Sequence, residues 1–224
     1  MKNLKKLAAL LLIVMSITFA LVGCGNSSNP KQSSSVKSSP DVSTTPNGLD
    51  TDNDGLPDTV EKTYGTNPHT ADTDGDGITD KTDTDPAFTP NLIAEESNKP
   101  LPVTINDKRV EDNATADHFE ITLTNTGSST LNSFDIYYTI TDKVTNKVEG
   151  YYQKLTGLSI NPSEKKTIHF DNLVTQSGHF YGNMNGLYGT SKNGLMFDVY
   201  LHNNGYTPMN FKVEKAKGTA EVAD

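Results

Sequence analysis

The chain has 224 residues, 28 of them acidic and 19 basic, so its formal net charge is −9. Hydrophobic residues make up only 33% of the chain, which indicates that part of it does not pack into a core. The single cysteine excludes an intramolecular disulfide and a cysteine-based metal site, and the acidic balance argues against nucleic acid as a partner.

The first 23 residues have the pattern of a secretory leader. Three lysines stand near its start, and residues 7–22 form an apolar run that is too short for an ordinary transmembrane helix. The run ends in Leu-Val-Gly-Cys, which resembles a bacterial lipobox. The resemblance implies that residues 1–23 are removed and that Cys24 carries lipid chains, which would anchor the protein to the outer face of a cell membrane. An ordinary signal peptide with a chance cysteine is the alternative.

Residues 24–47 are rich in serine with scattered prolines and have almost no apolar side chains. Such a composition is typical of a flexible tether. We therefore expect this stretch to be disordered and to hold the folded part of the protein away from the lipid surface.

Residues 48–90, called the aspartate segment below, contain eleven acidic residues against two lysines. This many negative charges repel one another unless cations neutralise them. Two twelve-residue loops begin at Asp50 and Asp72, each with carboxylates at positions 1, 3, 5, 9 and 12 and glycine at position 6. This is the spacing of an EF-hand-type calcium loop, in which position 7 adds a main-chain carbonyl. The absence of soft ligands disfavours transition metals here.

The two loops are joined by a predicted short helix over residues 57–64, by Gly65, which is placed to end that helix, and by the sequence Gly-Thr-Asn-Pro. Two aspartate loops with this connection resemble the bacterial version of the thrombospondin type 3 repeat. The resemblance implies calcium ligation by Asp50, Asp52, Asp54, Leu56 (carbonyl), Asp58, Glu61, Asp72, Asp74, Asp76, Ile78 (carbonyl), Asp80 and Asp83, with Asp85 beginning a further half-repeat. A solvated acidic linker is the alternative.

After a linker at residues 91–100, the composition changes to that of a β-domain over residues 101–217. Seven segments read as strands, most of them with apolar and polar residues in alternation: 102–105, 119–124, 134–141, 148–155, 168–170, 197–201 and 209–213. They predict a mainly β fold, an antiparallel immunoglobulin-like β-sandwich, followed by a disordered tail at residues 218–224. The strand pattern is similar to that of bacterial immunoglobulin-like extracellular domains, a resemblance that concerns the fold alone.

Residues 178–194, called the Gly/Asn loop below, are too rich in glycine and asparagine for a strand. Long loops on a sandwich are often binding loops, so His179, Tyr181 and Tyr188 are candidates to contact a sugar or a peptide. The alternative is a structural loop packed by its own aromatic side chains. The five histidines show no metal-ligand spacing: His69, His118, His169, His179 and His202.

No catalytic motif is recognisable, so we expect no enzymatic activity. The sequence predicts a calcium-binding, lipid-anchored bacterial surface protein that presents a β-sandwich for adhesion or protein interaction. The alternative is an accessory lipoprotein that binds a carbohydrate or small ligand through the Gly/Asn loop. Lysine outnumbers arginine by 18 to 1, which weakly favours a Gram-positive host; the extracellular protein or glycan partner stays open.

Overall fold

The computed structural model describes residues 43–45, 48–111 and 119–217, so the leader, Cys24, most of the tether and the tail lie outside the described residues. The strands are β1 (Ser43–Thr45), β2 (Gly48–Asp50), β3 (Val103–Val110), β4 (Phe119–Asn125), β5 (Leu131–Asn132), β6 (Phe134–Asp142), β7 (Val148–Lys154), β8 (Ser159–Ile160), β9 (Lys165–Phe170), β10 (His179–Phe180), β11 (Leu195–Asn203) and β12 (Met209–Lys215). The helices are α1 (Asp58–Tyr64) and α2 (Leu187–Thr190).

Two four-stranded sheets form the body of the described chain. Their strand orders are β10-β9-β4-β3 and β12-β11-β6-β7, and two short pairs, β1-β2 and β5-β8, lie beside them. Every pairing is antiparallel except that of β9 with β10. The predicted mainly β, antiparallel fold is confirmed, and all seven predicted strands are present. The immunoglobulin-like assignment within that class stays a prediction.

The core lies between the two sheets because alternate strand residues point inward. Ile121 and Leu123 of one sheet, and Val199 of the other, have no exposed surface. Aromatic rings join the layers: the Phe119 ring on β4 lies 5.7 Å from Tyr138 on β6 in an edge contact. Burying these apolar side chains is the main stabilising contribution, at roughly 2 kcal/mol for each.

The outer edge of β7 is covered by the aspartate segment. The main-chain N–H of Gly150 donates to Ala87 O at 3.0 Å, and Gly150 O accepts from Thr89 N at 3.0 Å. Further along, Tyr152 N donates to Asp74 O at 2.8 Å. An open strand edge is a template for pairing with other chains, so the aspartate segment closes the edge of this sheet as well as carrying the carboxylates.

Residues 91–100, which the sequence indicates as a linker, are bonded to the opposite end of the second sheet. Thr207 N donates to Lys99 O at 2.8 Å, and the Glu95 carboxylate accepts from Gly205 N at 2.8 Å. The same carboxylate lies 3.2 Å from His202 Nε2. This stretch is therefore bonded to the second sheet through Glu95, Ser97 and Lys99.

The helix α1 begins one residue after its predicted start, because Pro57 is extended and stands as its N-cap. Gly65 ends it with φ +82°, a left-handed conformation that glycine adopts at no steric cost. The Gly/Asn loop differs from expectation, since it contains the two-residue strand β10 and the single turn α2. Among the described residues, no helix is both long and apolar enough to span a membrane.

Candidate metal centre

The two aspartate loops have the same internal hydrogen bonds, displaced by 22 residues. In the first loop, the Asp50 carboxylate accepts the main-chain N–H groups of positions 4 and 6 at 2.9 and 3.1 Å. In the second, Asp72 accepts the same two groups at 2.9 and 2.8 Å. Each position-3 carboxylate accepts from position 5, and each position-5 carboxylate accepts from position 7. The sequence repeat is thus a structural repeat, in which the backbone wraps around its own carboxylates.

Oxygens from positions 1, 3 and 5 converge in both loops. One oxygen from each of the three aspartates lies within 4.8 Å of the other two. Among the described residues, Asp52 Oδ2 and Asp74 Oδ2 are buried and have no hydrogen-bond partner. A buried polar atom without a partner is costly, and Asp74 is only 1% exposed. Both oxygens are therefore available to coordinate a cation.

Glu61, at position 12, closes the first cluster from helix α1. It has no exposed surface. Its Oε1 accepts from the Thr66 hydroxyl at 3.4 Å, while Oε2 has no partner among the described residues. Burial, followed by the negative charges of Asp52 and Asp54, raises the pKa of Glu61 to about 8. The Glu61 carboxyl group is therefore shielded from solvent and lies near the charges of the first cluster.

Asp74, at position 3 of the second loop, also has a buried carboxyl group. Burial raises its pKa to about 7, against the opposing effect of a hydrogen bond from Asp76 N. The charges of Asp76 and of Asp83, at position 12, raise the pKa further. A nearby cation would favour the ionised form of each of these carboxyl groups.

The carboxylates at position 9 brace their loops. Asp58 accepts from the main-chain N–H and the hydroxyl of Thr51 at 2.9 and 2.8 Å. Asp80 accepts the same pair of groups from Thr73 at 2.8 and 2.6 Å. Burial raises the pKa of Asp80 to about 6. The predicted ligand role of both residues is thus accompanied by a structural one that fixes the start of each loop.

The two loops also touch each other. Lys81 N, just after Asp80, donates to Asp54 Oδ2 of the first loop at 3.1 Å. The charges of Asp54 and Asp52 are among the causes that raise the Asp80 pKa. The two clusters therefore form one acidic unit, in which a cation at the first cluster also neutralises charge near the second loop.

Three predicted calcium ligands lie outside the two three-aspartate clusters: Leu56, Ile78 and Asp85. Leu56 N and Ile78 N donate to the position-5 carboxylates at 2.5 and 2.7 Å, which places position 7 beside each cluster. Asp85 is exposed, and its N–H donates to Asp83 Oδ1 at 2.9 Å. Among the described residues, Asp85 belongs to neither three-aspartate cluster.

The second loop lies directly against β7 at Gly75, its fourth residue. A Cβ atom at this position would lie 1.9 Å from the main-chain oxygen of Tyr152, where no side chain fits. Gly75 also has φ +84°. Because Gly75 has no side chain, the loop can approach β7 closely enough for Tyr152 N to donate to Asp74 O.

The connection between the loops is held by the Gly/Asn loop. Asn183 Nδ2 donates to Gly65 O, and Asn185 Nδ2 donates to Thr66 O, at 2.7 Å each. In return, the buried side chain of Asn67 donates its amide to a main-chain oxygen of the Gly/Asn loop at 3.3 Å. Sequence reasoning missed Asn183 and Asn185 as functional residues, because no local pattern marks either of them.

The three ligand candidates of the Gly/Asn loop have separate surroundings. Tyr188 is buried, with its ring edge-on to Phe197 at 5.8 Å. Tyr181 lines a cavity of about 30 Å³ between the aspartate segment and the second sheet, room for one or two water molecules and too small for a sugar ring. His179 Nδ1 lies 2.8 Å from Asp171 Oδ2. The structure does not bring these three side chains together as one surface.

The donor set at the aspartate clusters fits a hard cation. All the converging groups are oxygens, and within the described part of the chain each cluster contains one buried carboxylate oxygen without a hydrogen-bond partner. Ca²⁺ takes six to eight oxygen ligands in flexible geometry, whereas soft transition metals prefer nitrogen and sulfur. The residues present therefore suit calcium.

Comparisons with known proteins agree with the repeat. Residues 50–71 and 72–82 match the family model for the bacterial TSP3 repeat, so the predicted repeats are confirmed for this part of the chain. No curated protein matches the sequence.

Several solved structures are similar to about half of this chain. They include the ApaA protein of Bordetella pertussis (14% identity, 55% of this chain and 97% of that chain, TM-score 0.32) and a protein of Arabidopsis thaliana (12% identity, 58% and 91%, TM-score 0.29). A β-glucosidase of Listeria innocua is also similar (14% identity, 52% and 16%, TM-score 0.26).

Proposed function

We propose that this protein binds calcium through the two aspartate loops and is a lipid-anchored surface protein that presents its β-sandwich for adhesion or protein interaction. The observation that carries the calcium proposal is the duplicated loop with buried carboxylate oxygens that have no partner. The proposal assigns no catalytic step to the chain.

The first cluster would hold an ion through Asp50, Asp52, Asp54 and Glu61, and the second through Asp72, Asp74, Asp76 and Asp83. Each calcium ion supplies two positive charges to a segment with a net charge of −9. The aspartate segment has few apolar side chains, and several of them, including Leu49, Tyr64 and Ile78, are exposed. Hydrophobic burial therefore cannot offset about 1–2 kcal/mol of backbone entropy per residue, so we expect ion binding and ordering of the segment to occur together.

Limited proteolysis of the full chain, with and without millimolar calcium, tests this proposal. We expect calcium to suppress cleavage between residues 48 and 90. Asp52→Asn and Asp74→Asn each remove one unpartnered carboxylate oxygen and should reduce that protection. Asp198→Asn, on β11, removes one negative charge outside the aspartate segment and serves as the matched control. Equal cleavage with and without calcium would contradict the proposal.

The lipid anchor is proposed from the lipobox resemblance at Cys24. Two or three acyl chains would hold the protein on the membrane, because each buried CH₂ contributes about 0.8 kcal/mol. Cys24→Ser should move the protein from the membrane fraction to the medium, whereas the neighbouring Ser27→Ala variant should stay on the membrane. A Cys24→Ser protein that remains with the membrane would overturn the anchor, and resistance of the wild-type protein to protease added to whole cells would overturn the outward orientation.

A further inference from the structure

Two histidines and an aspartate meet at the edge of the first sheet, outside the two aspartate clusters. His169 on β9 and His179 on β10 are register partners in the parallel pair, and their rings stack 4.4 Å apart with an interplanar angle of 9°. Asp171 follows β9 directly. One ligand atom from each of the three residues lies within 4.8 Å of the others, and their side chains are 24%, 15% and 9% exposed.

A carboxylate lies beside one ring nitrogen of each imidazole. His179 Nδ1 lies 2.8 Å from Asp171 Oδ2, within the group of three. His169 Nδ1 lies 3.2 Å from Glu120 Oε2, outside that group, and the other oxygen of Glu120 lies 2.5 Å from a terminal nitrogen of Arg109. A carboxylate next to the ring is common at histidines that bind metals, and Glu120 lies in that outer position.

We propose that His169, His179 and Asp171 bind one divalent transition-metal ion of the Zn²⁺ class. Two imidazole nitrogens and one carboxylate are donors that such ions prefer over Ca²⁺. Bonds of about 2.0–2.2 Å require the three ligand atoms to draw closer together on binding. β10 stands at the edge of its sheet, but its Phe180 is buried in the core, so the approach must come from the three side chains and not from movement of the strand.

The ion would tie the start of the Gly/Asn loop to β9. That loop also holds the aspartate segment through Asn183, four residues after His179. The histidine site differs from the aspartate clusters in its donor atoms, so the two sites select different ions and can be examined independently.

Zinc titration of the full chain in millimolar calcium tests this site, because calcium occupies carboxylate sites that would otherwise attract zinc. We expect calorimetry to give one zinc ion per chain with micromolar affinity. His169→Gln and His179→Gln should each weaken binding at least ~10-fold. His69→Gln changes an exposed histidine of the aspartate segment and should leave the affinity unchanged.

A measurement on the wild-type chain covers the case in which a variant misfolds. Zinc should shift the NMR signals of the His169 and His179 imidazoles and leave those of His202 in place. The Asp54→Ala/Asp76→Ala double variant should keep its zinc affinity, which separates this site from the calcium proposal. No zinc binding up to about 100 μM, equal affinity in all the histidine variants, or unmoved His169 and His179 signals would each overturn the site.

Discussion

Replacing Gly75 with alanine tests whether the aspartate segment is fastened to β7. The new Cβ would lie 1.9 Å from Tyr152 O, well inside van der Waals contact, so the loop must withdraw from the strand. The 2.8 Å bond from Tyr152 N to Asp74 O would then be lost. Losing that bond and leaving its groups imperfectly paired costs about 2 kcal/mol, which is ~30-fold in the opening equilibrium of this contact.

Gly77→Ala is the matched control for this change. Gly77 also has positive φ, +96°, but a Cβ there meets nothing within 4 Å. In both variants the new alanine must adopt a left-handed backbone conformation, which destabilises the loop. Only Gly75→Ala also clashes with β7. The difference between the two variants measures the contact with the strand and excludes the backbone strain that they share.

Hydrogen exchange at the Tyr152 amide in millimolar calcium is the direct assay. We expect exchange to be ~30-fold faster in Gly75→Ala than in Gly77→Ala. The amide of Ile168 on β9, in the other sheet, should exchange equally in both. Equal protection of the Tyr152 amide in the two variants would refute the contact between the loop and β7.

The remaining predictions concern the anchoring loop, pH and metal removal. Asn183→Ala should lower the unfolding free energy in calcium by about 1–2 kcal/mol, because Gly65 O loses its donor. Denaturant unfolding measures this, with the exposed Asn91→Ala variant as the control. Equal unfolding free energies in the two variants would contradict the prediction. Asp142 accepts hydrogen bonds from Thr145 N, Asn193 and Ser191, which hold its pKa below its usual range, so its stabilising contribution is present above about pH 4 and is lost as the pH falls below that value. The stability difference between wild type and Asp142→Asn should therefore narrow as the pH falls from 5 to 2, and a constant difference would contradict the role of this carboxylate. A chelator should leave the far-UV β signal of the sandwich in place, since its core contains no aspartate of the segment; loss of that signal would show that the sandwich depends on the metal.

The parts of this protein that sequence could predict are those set by local patterns. Alternation of period two located the strands around Ile121 and Val199, and glycine at position 6 located both bends of the aspartate loops. Gly65 marked the end of α1 because it takes a left-handed conformation there. Each of these features depends on residues within one turn or one strand.

The parts that sequence could not predict depend on distant contacts. Gly65 and Asn183 are bonded across 118 positions, and neither residue carries a local sign of that partner. The pairing of His169 with His179 depends on a parallel register between β9 and the two-residue β10, which has no alternation to reveal it. The spacing of the histidines along the chain carries no sign that His169 and His179 stack, because the fold and not the spacing brings them together.

Tyr188 shows the same limit in a different way. Its polar, glycine-rich surroundings left open whether Tyr188 contacts a ligand or packs within a structural loop, and the ring is buried against Phe197 of β11. The buried Lys215 accounts for part of this placement, since its Nζ donates to Tyr188 O at 2.9 Å. This lysine at the end of β12 and this tyrosine in α2 are 27 positions apart and are brought together by the fold.

Calorimetric titration of the full chain with calcium tests the central claim most directly. The claim predicts heat of binding with a Kd of about 10⁻⁴ M or tighter, loss of one part of that heat in Asp54→Ala or Asp76→Ala, and its complete loss in the double variant. The absence of binding heat in millimolar calcium, or unchanged binding by the double variant, would show that the aspartates are a solvated charge run and would contradict the account.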